Sequence, residues 1–350
     1  MSYTNGLDKP SDYFNTKLYT GNGTDAHAIT GVGFSPDFVW LKGRSVAEHH
    51  TLNDTVRGAN KQLFSNLTYG ESTETDRLQS FDSDGFTLGT DVIVNQSSQT
   101  FVSWNWLASN TTASNTDGSI TSTVSANTTS GFSIVSYTGN GTGGATIGHG
   151  LGSAPKMFIT KSRSSARSWA VYNENIGNTK ALFLDTTAVQ DTDSTYWNST
   201  SPNSSVLTLG SRSEMNHSGE NFIAYCFAEK KGFSKFGSYT GNGNADGTFI
   251  YTGFKPAFVM IKVTSTTGNW VILDNKRSDV SNANVNDQVL YPNLSNAELS
   301  STTRAIDTVS NGFKCRGDGG NINASGSTYI YMAFAENPFV TSGGIPTTAR

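Results

Sequence analysis

Apolar residues in this chain come in short runs of two kinds. The first kind is apolar at every position: Phe38-Val39-Trp40-Leu41, Met157-Phe158-Ile159 and Phe258-Val259-Met260-Ile261. Successive side chains of a strand point to opposite faces, so such a run predicts a strand covered on both sides. A lysine follows each run and is expected to mark where the strand emerges. The second kind spans Phe101–Trp106, Phe222–Phe227 and Tyr329–Phe334. Here one face carries Val102, Trp104, Trp106 and their counterparts, all bulky and apolar, while the other face varies. That alternation predicts a strand with one face on a core. Shorter strands fit His50-Thr51-Leu52, Trp169-Ala170-Val171 and Trp270-Val271-Ile272, followed by Leu63-Phe64, Leu182-Phe183 and Leu290-Tyr291. Glycine-punctuated hairpins fit Phe86–Gly89, Leu207–Gly210 and Phe313–Cys315. No stretch sustains a helical period. The prediction is an all-β chain of antiparallel β-sandwich, jelly-roll-like repeats, roughly seven strands each.

The runs recur in register. Tyr-Thr-Gly-Asn-Gly begins at Tyr19, Tyr137 and Tyr239. Pro36, Pro155 and Pro256 follow, then Lys42, Lys161 and Lys262, then His50, Trp169 and Trp270, then Asp54, Asn173 and Asp274. Self-similarity of this kind predicts three tandem copies. The expected organisation is an N-terminal arm or docking segment (1–16), with a strand edge packed on the first domain as the equal alternative, then a first sandwich repeat (17–108), a Ser/Thr/Asn-rich linker (109–131), a second repeat (132–231), a third repeat (232–338) and an extended C-terminal tail (339–350). Within the linker, Ile120 and Val124 leave room for an added edge strand on the second copy. The third copy carries extra residues between Asp274 and Asn293, as a surface loop tolerates.

Composition narrows the function. Charged residues are 15 % of 350 and the net charge is −4, with no basic run, so a nucleic-acid partner is not expected. No apolar run reaches membrane-spanning length, so no membrane insertion is expected. The start has no basic region followed by an apolar stretch, so no signal peptide is expected. Cys226 and Cys315 lie in different copies and are expected to be free thiols rather than a disulfide.

Candidate chemistry is thin, and each candidate has a structural reading. Asp82 and Asp84 could open a calcium loop, but the further oxygen ligands of an EF-hand are missing and Asp-Gly is also a hairpin turn. Asp191 and Asp193 are weaker still. His49-His50 could bind a metal, yet His50 stands in the column of Trp169 and Trp270 and should pack as a ring. His149 is expected to hold its turn through a backbone bond. Arg316-Gly317-Asp318 spells an adhesion tripeptide in a context that reads first as a turn. Lys42, Lys161 and Lys262 are expected to snorkel, heads in water, with contact to an anionic partner or a neighbouring subunit as the alternative. No nucleophile elbow, Walker loop, zinc-protease motif or recurring carboxylate pair is present. No catalytic residue, metal site or cofactor is therefore expected, and the chain is read as a non-enzyme.

The chain resembles a family of tandem-repeat, tail-fibre-like virion proteins of marine bacteriophages. The motifs that carry the resemblance are Gly6-Leu-Asp-Lys-Pro-Ser-Asp-Tyr-Phe14, Tyr19-Thr-Gly-Asn-Gly23, Val32-Gly-Phe-Ser-Pro-Asp-Phe-Val-Trp40, Phe81-Asp-Ser-Asp-Gly-Phe86 and His149-Gly-Leu-Gly-Ser-Ala-Pro-Lys-Met157. Ala335-Glu-Asn-Pro-Phe339 and Ile345-Pro-Thr-Thr-Ala349 also fit. The resemblance implies a virion structural protein, made in the host cytoplasm without a signal peptide and acting in host attachment, with host-surface glycan or protein as partner and homo-oligomer or lattice contacts to other virion proteins. The alternative it implies is a capsid decoration or head-fibre protein; a polysaccharide-degrading enzyme ranks below both. It assigns no receptor-binding residue. The third copy lacks the arginine found at Arg44 and Arg163, so an interface built on that arginine would not recur three times.

Overall fold

The computed structural model describes residue 4, residues 6–278 and residues 284–347. The chain is all-β, and every strand ladder in it is antiparallel. One strand order recurs. In the first unit Phe14–Thr20, Thr100–Trp106, Phe38–Gly43, Thr51–Asp54 and Lys61–Phe64 lie side by side in that order. In the second, Phe132–Thr138, Asn221–Phe227, Met157–Ser162, Ala170–Asn173 and Lys180–Phe183 repeat it. In the third, Ser234–Thr240, Thr328–Pro338, Phe254–Val263 and Trp270–Asp274 do so, and a bridge from Ile272 to Leu290 stands for the fifth strand. Each of these large sheets is backed by a second sheet, formed in the first unit by His27–Thr30, Gly85–Leu88 and Leu78–Asp82.

The two run types map onto two kinds of core. In the doubly apolar strand, Val39 and Leu41 face the second sheet of their own unit, while Phe38 and Trp40 face a core common to all three units. The closing strands, expected to meet a core on one face only, are covered on both: Ala224 and Cys226 enter the second unit's own core, and Tyr331 and Ala333 the third's. Val102, Trp104 and Trp106, with Ile223, Tyr225 and Phe227 and with Ile330, Met332 and Phe334, all enter that common core. At its centre the same column of each unit meets. The ring of Trp106 lies 6.5 Å from Phe227 and 5.7 Å from Phe334, and Phe227 lies 6.1 Å from Phe334.

Several expected boundaries shift. The first strand starts at Phe14, ahead of residue 17, because Phe14 stacks on Phe334 at 4.9 Å inside the common core. The segment read as a linker supplies two strands, Ala113–Asn115 and Ser122–Asn127, which extend the second large sheet and bury Val124. The tail turns back on itself, with Thr341 and Ile345 exchanging a backbone bond, and is not extended. Residues 1–3, 5 and 348–350 of the expected arm and tail, and 279–283 of the third-copy insertion, lie outside the described residues. Two four-residue helices, Val92–Asn95 and Ser213–Asn216, were not expected; both end on a buried asparagine.

Because one core serves three units, damage to it is shared. Trp106→Ala is expected to cost about 3–5 kcal/mol. Thermal unfolding followed by far-ultraviolet dichroism and by tryptophan fluorescence should shift as one transition, with no unit melting separately.

Candidate functional site

The recurring motif closes a turn at the rim of each unit. Tyr19, Tyr137 and Tyr239 donate their hydroxyls to the backbone carbonyls of Val94, Met215 and Ile322. The next residue in each case is a buried asparagine: Asn95, Asn216 or Asn323. Its side chain accepts from Asn22, Asn140 or Asn242 N–H and donates to carbonyls on both sides of the turn, such as Thr142 and Gly210 for Asn216. The glycines are required by this closure. A Cβ on Gly21 would sit 2.2 Å from the Gln96 carbonyl oxygen, and Gly23 holds φ at +69°, where L side chains are strained. The asparagines were missed from sequence, although each stands at the same offset before its closing strand. That offset was the available signal.

The lysines do not snorkel. Lys42, Lys161 and Lys262 are all fully buried. Lys161 Nζ donates to Thr68 O of the first unit at 3.0 Å, and Lys262 Nζ to Thr187 O of the second at 3.2 Å; each also bonds carbonyls of its own unit. Lys42 bonds Gly43 O and Val46 O. Burial pushes all three down to about 8. The stem is too short to reach water from a strand covered on both faces, so the ammonium is satisfied by backbone carbonyls at the seam between units.

The ring column bonds across the same seams. Trp169 Nε1 donates to Phe64 O and Trp270 Nε1 to Phe183 O, both at 2.8 Å. His50 fills the third slot as a neutral ring, its charged form disfavoured chiefly by burial. Trp40 Nε1 donates to His50 Nδ1 at 2.9 Å, which leaves the hydrogen on Nε2, facing the backbone of Tyr291 without completing a bond. Backbone bonds complete the ring of contacts: Glu71 N to Arg163 O, Gln190 N to Thr264 O, and Glu298 N to Arg44 O.

Two of these three seams carry a buried ionic cluster. Between the first and second units, Arg57 pairs with Asp54 and Glu71, Arg163 clasps Glu71, and Tyr225 OH donates to Asp54 Oδ2 at 2.8 Å. Between the third and first, Arg277 pairs with Asp274 and Glu298, Arg44 clasps Glu298, and Trp104 Nε1 donates to Asp274 Oδ2 at 2.9 Å. At the remaining seam the same positions hold Ile176, Asn173, Gln190, Thr264 and Met332. Every member of the set is uncharged there. In place of the arginine–glutamate clasp lies a groove of about 420 Å³, lined among others by Ile176, Lys180, Gln190, Ser238, Thr240 and Thr264. It is the candidate functional site.

The other flagged residues are absorbed by local structure. Asp84 accepts from Gly31 and Gly33 N–H, and Asp82 from Ser80 and Thr87 hydroxyls. Asp193 caps Thr195, and Asp191 accepts from Tyr196. No group of three or more metal-ligating side chains occurs among the described residues. His149 Nδ1 accepts from Leu151 N–H at 3.2 Å and so holds its turn as expected. His49 Nδ1 meets the Asn66 amide. Gly317 of the Arg-Gly-Asp triplet packs on the Thr303 backbone. Both cysteines are free and buried, their thiols pushed up to about 12 by burial.

The chain belongs to the family described as a domain of unknown function, DUF7483, whose model matches residues 9–338. No curated protein and no solved structure matches it. This match runs through all three units, in keeping with the core they share.

Two expectations follow from the seams. Arg57→Leu alone strands Asp54 and should cost about 3–5 kcal/mol, whereas the fivefold set Arg57→Ile, Asp54→Asn, Glu71→Gln, Arg163→Thr and Tyr225→Met, which copies the uncharged seam, should cost far less than the summed single changes in denaturant titrations. The lysines set a pH dependence. Their folded values near 8 lie below the unfolded value of about 10.4, so between these limits the unfolded chain holds more protons and raising the pH favours folding. Below pH 8 both states are protonated and the contribution is flat. Stability measured from pH 8 to 9.5 should therefore rise less steeply in Lys161→Met than in the unaltered protein.

Proposed function

We propose that the protein is a non-enzymatic structural component of a bacteriophage particle, exposed in the manner of a tail fibre and attaching to glycan or protein on the host surface. The observation that carries this reading is the use made of the recurring polar residues. Two lysines and two ring nitrogens are committed to backbone groups that tie the units together, and the asparagines and tyrosine hydroxyls to closing a turn within each unit, which is the economy of a rigid display scaffold and not of a reaction centre. The Ser/Thr/Asn-rich loops at the rim and the uncharged seam remain for recognition. The motifs that resemble tail-fibre-like virion proteins run through the same turns and strands.

The purified protein is expected to adhere to host cells and to compete with infection, and an antibody against it should label the tail region of intact particles. Absence of adhesion, with copy number scaling to the capsid lattice, would replace this reading with head decoration.

A further inference from the structure

The groove between the second and third units exists because specific side chains are absent. Its lining residues Ile176, Gln190, Ser238 and Thr264 occupy the positions of Arg57, Glu71, Ser136 and Arg163 at the first seam. There, Arg163 spans from Glu71 to Ser136 Oγ and fills the space. The backbone frame is the same at both seams: Gln190 N bonds Thr264 O as Glu71 N bonds Arg163 O. The units are therefore held at this seam as at the other, and only the filling is missing. A volume of about 420 Å³ falls within the range of roughly 300–1,000 Å³ usual for small-molecule sites.

The lining also has an unbalanced chemistry. Among the described residues, Lys180 Nζ, the Gln190 amide, Ser238 Oγ and Thr240 Oγ1 make no side-chain hydrogen bond within the chain. Lys180 is a cation in the lining, and no carboxylate lines the groove to balance it. The hydroxyl of Tyr239 is spent on the carbonyl of Ile322, so this half-buried residue offers ring surface, while Tyr329 beside it is wholly buried. A ligand that matches must bring one anionic group, several hydroxyls and an apolar ring face.

We propose that this groove binds a carboxylated saccharide, with Lys180 taking the carboxylate and Gln190, Ser238 and Thr240 bonding ring hydroxyls. The inference rests on the attachment role above and names the chemical class of its receptor. A charge-assisted bond from an ammonium to a carboxylate is stronger than a neutral one, so the acidic group sets selectivity while the hydroxyl and amide contacts set orientation. The uncharged set at this seam has a second effect. With no buried arginine or glutamate competing, Lys180 has no internal counter-ion to displace before a ligand binds.

The test uses the full chain and oligosaccharides of galacturonate, glucuronate and sialic acid, each beside a neutral counterpart, titrated calorimetrically. At least one acidic oligosaccharide is expected to bind, its neutral counterpart about tenfold more weakly, and Lys180→Met should lose about tenfold in affinity for the acidic one. The double substitution Gln190→Glu with Thr264→Arg rebuilds the clasp of the sister seams and should abolish binding with the dichroism spectrum unchanged; Ser238→Trp blocks the same space if the double variant does not fold. Binding of none of the acidic oligosaccharides, or undiminished binding by the filled variant, would overturn the proposal. Host-cell adhesion is read on the same proteins. Adhesion without saccharide binding removes this site and leaves the attachment role, whereas saccharide binding without adhesion removes attachment and leaves the site.

Discussion

Three aromatic rings at one register hold the structure to its form. Trp106, Phe227 and Phe334 stand at the same register of the closing strands of the three units and touch one another around a common centre. Each belongs to a strand face of large apolar side chains, and an aromatic residue removes roughly 150–250 Å² from water when buried. A unit by itself could cover one side of its large sheet with its second sheet. It has nothing of its own to cover the other. The three faces satisfy one another, and that requirement fixes where the seams fall and which backbone carbonyls meet which side chains.

The seams then have to solve an electrostatic problem. Lysines sealed between strands keep their ammonium groups only by bonding carbonyls, and arginine and carboxylate side chains with no exposed surface must come in matched sets. This explains why the five positions differ together at the third seam. Losing one charge would leave its partners buried and unpaired, while losing all of them leaves a neutral surface that packs or opens to solvent. The groove is the visible remainder of that collective change.

Strand positions were legible from the period of two, and the doubly apolar runs stated directly that both their faces are covered; the closing strands did not, because small or polar residues such as Ser103, Ala224 and Cys226 are buried on their second face as well. The structural role of His50 was legible from its column. The burial of Lys42, Lys161 and Lys262 was not, since a lysine at a strand end looks the same whether its neighbour is water or another unit, and the neighbour is set by packing far away in sequence. The arm was left open between an extended segment and a packed strand edge for the same reason: Leu7 and Phe14 stand among polar residues, and contacts far away in sequence, such as Phe14 on Phe334, make them core. The groove could not be read at all. The missing arginine was visible at Thr264, but the coordinated loss of Asp, Glu and a second Arg becomes a single feature only when the three seams are superimposed in mind on one frame.

Near the two ends of the described chain, Asp8 accepts bonds from the backbone and hydroxyl of Ser342, so these two positions lie side by side. Anything joined to either end would emerge from the same pole. A tether there would hold the molecule by a single stalk and let the opposite pole swing freely, a geometry in which one covalent linkage governs how every unit is presented.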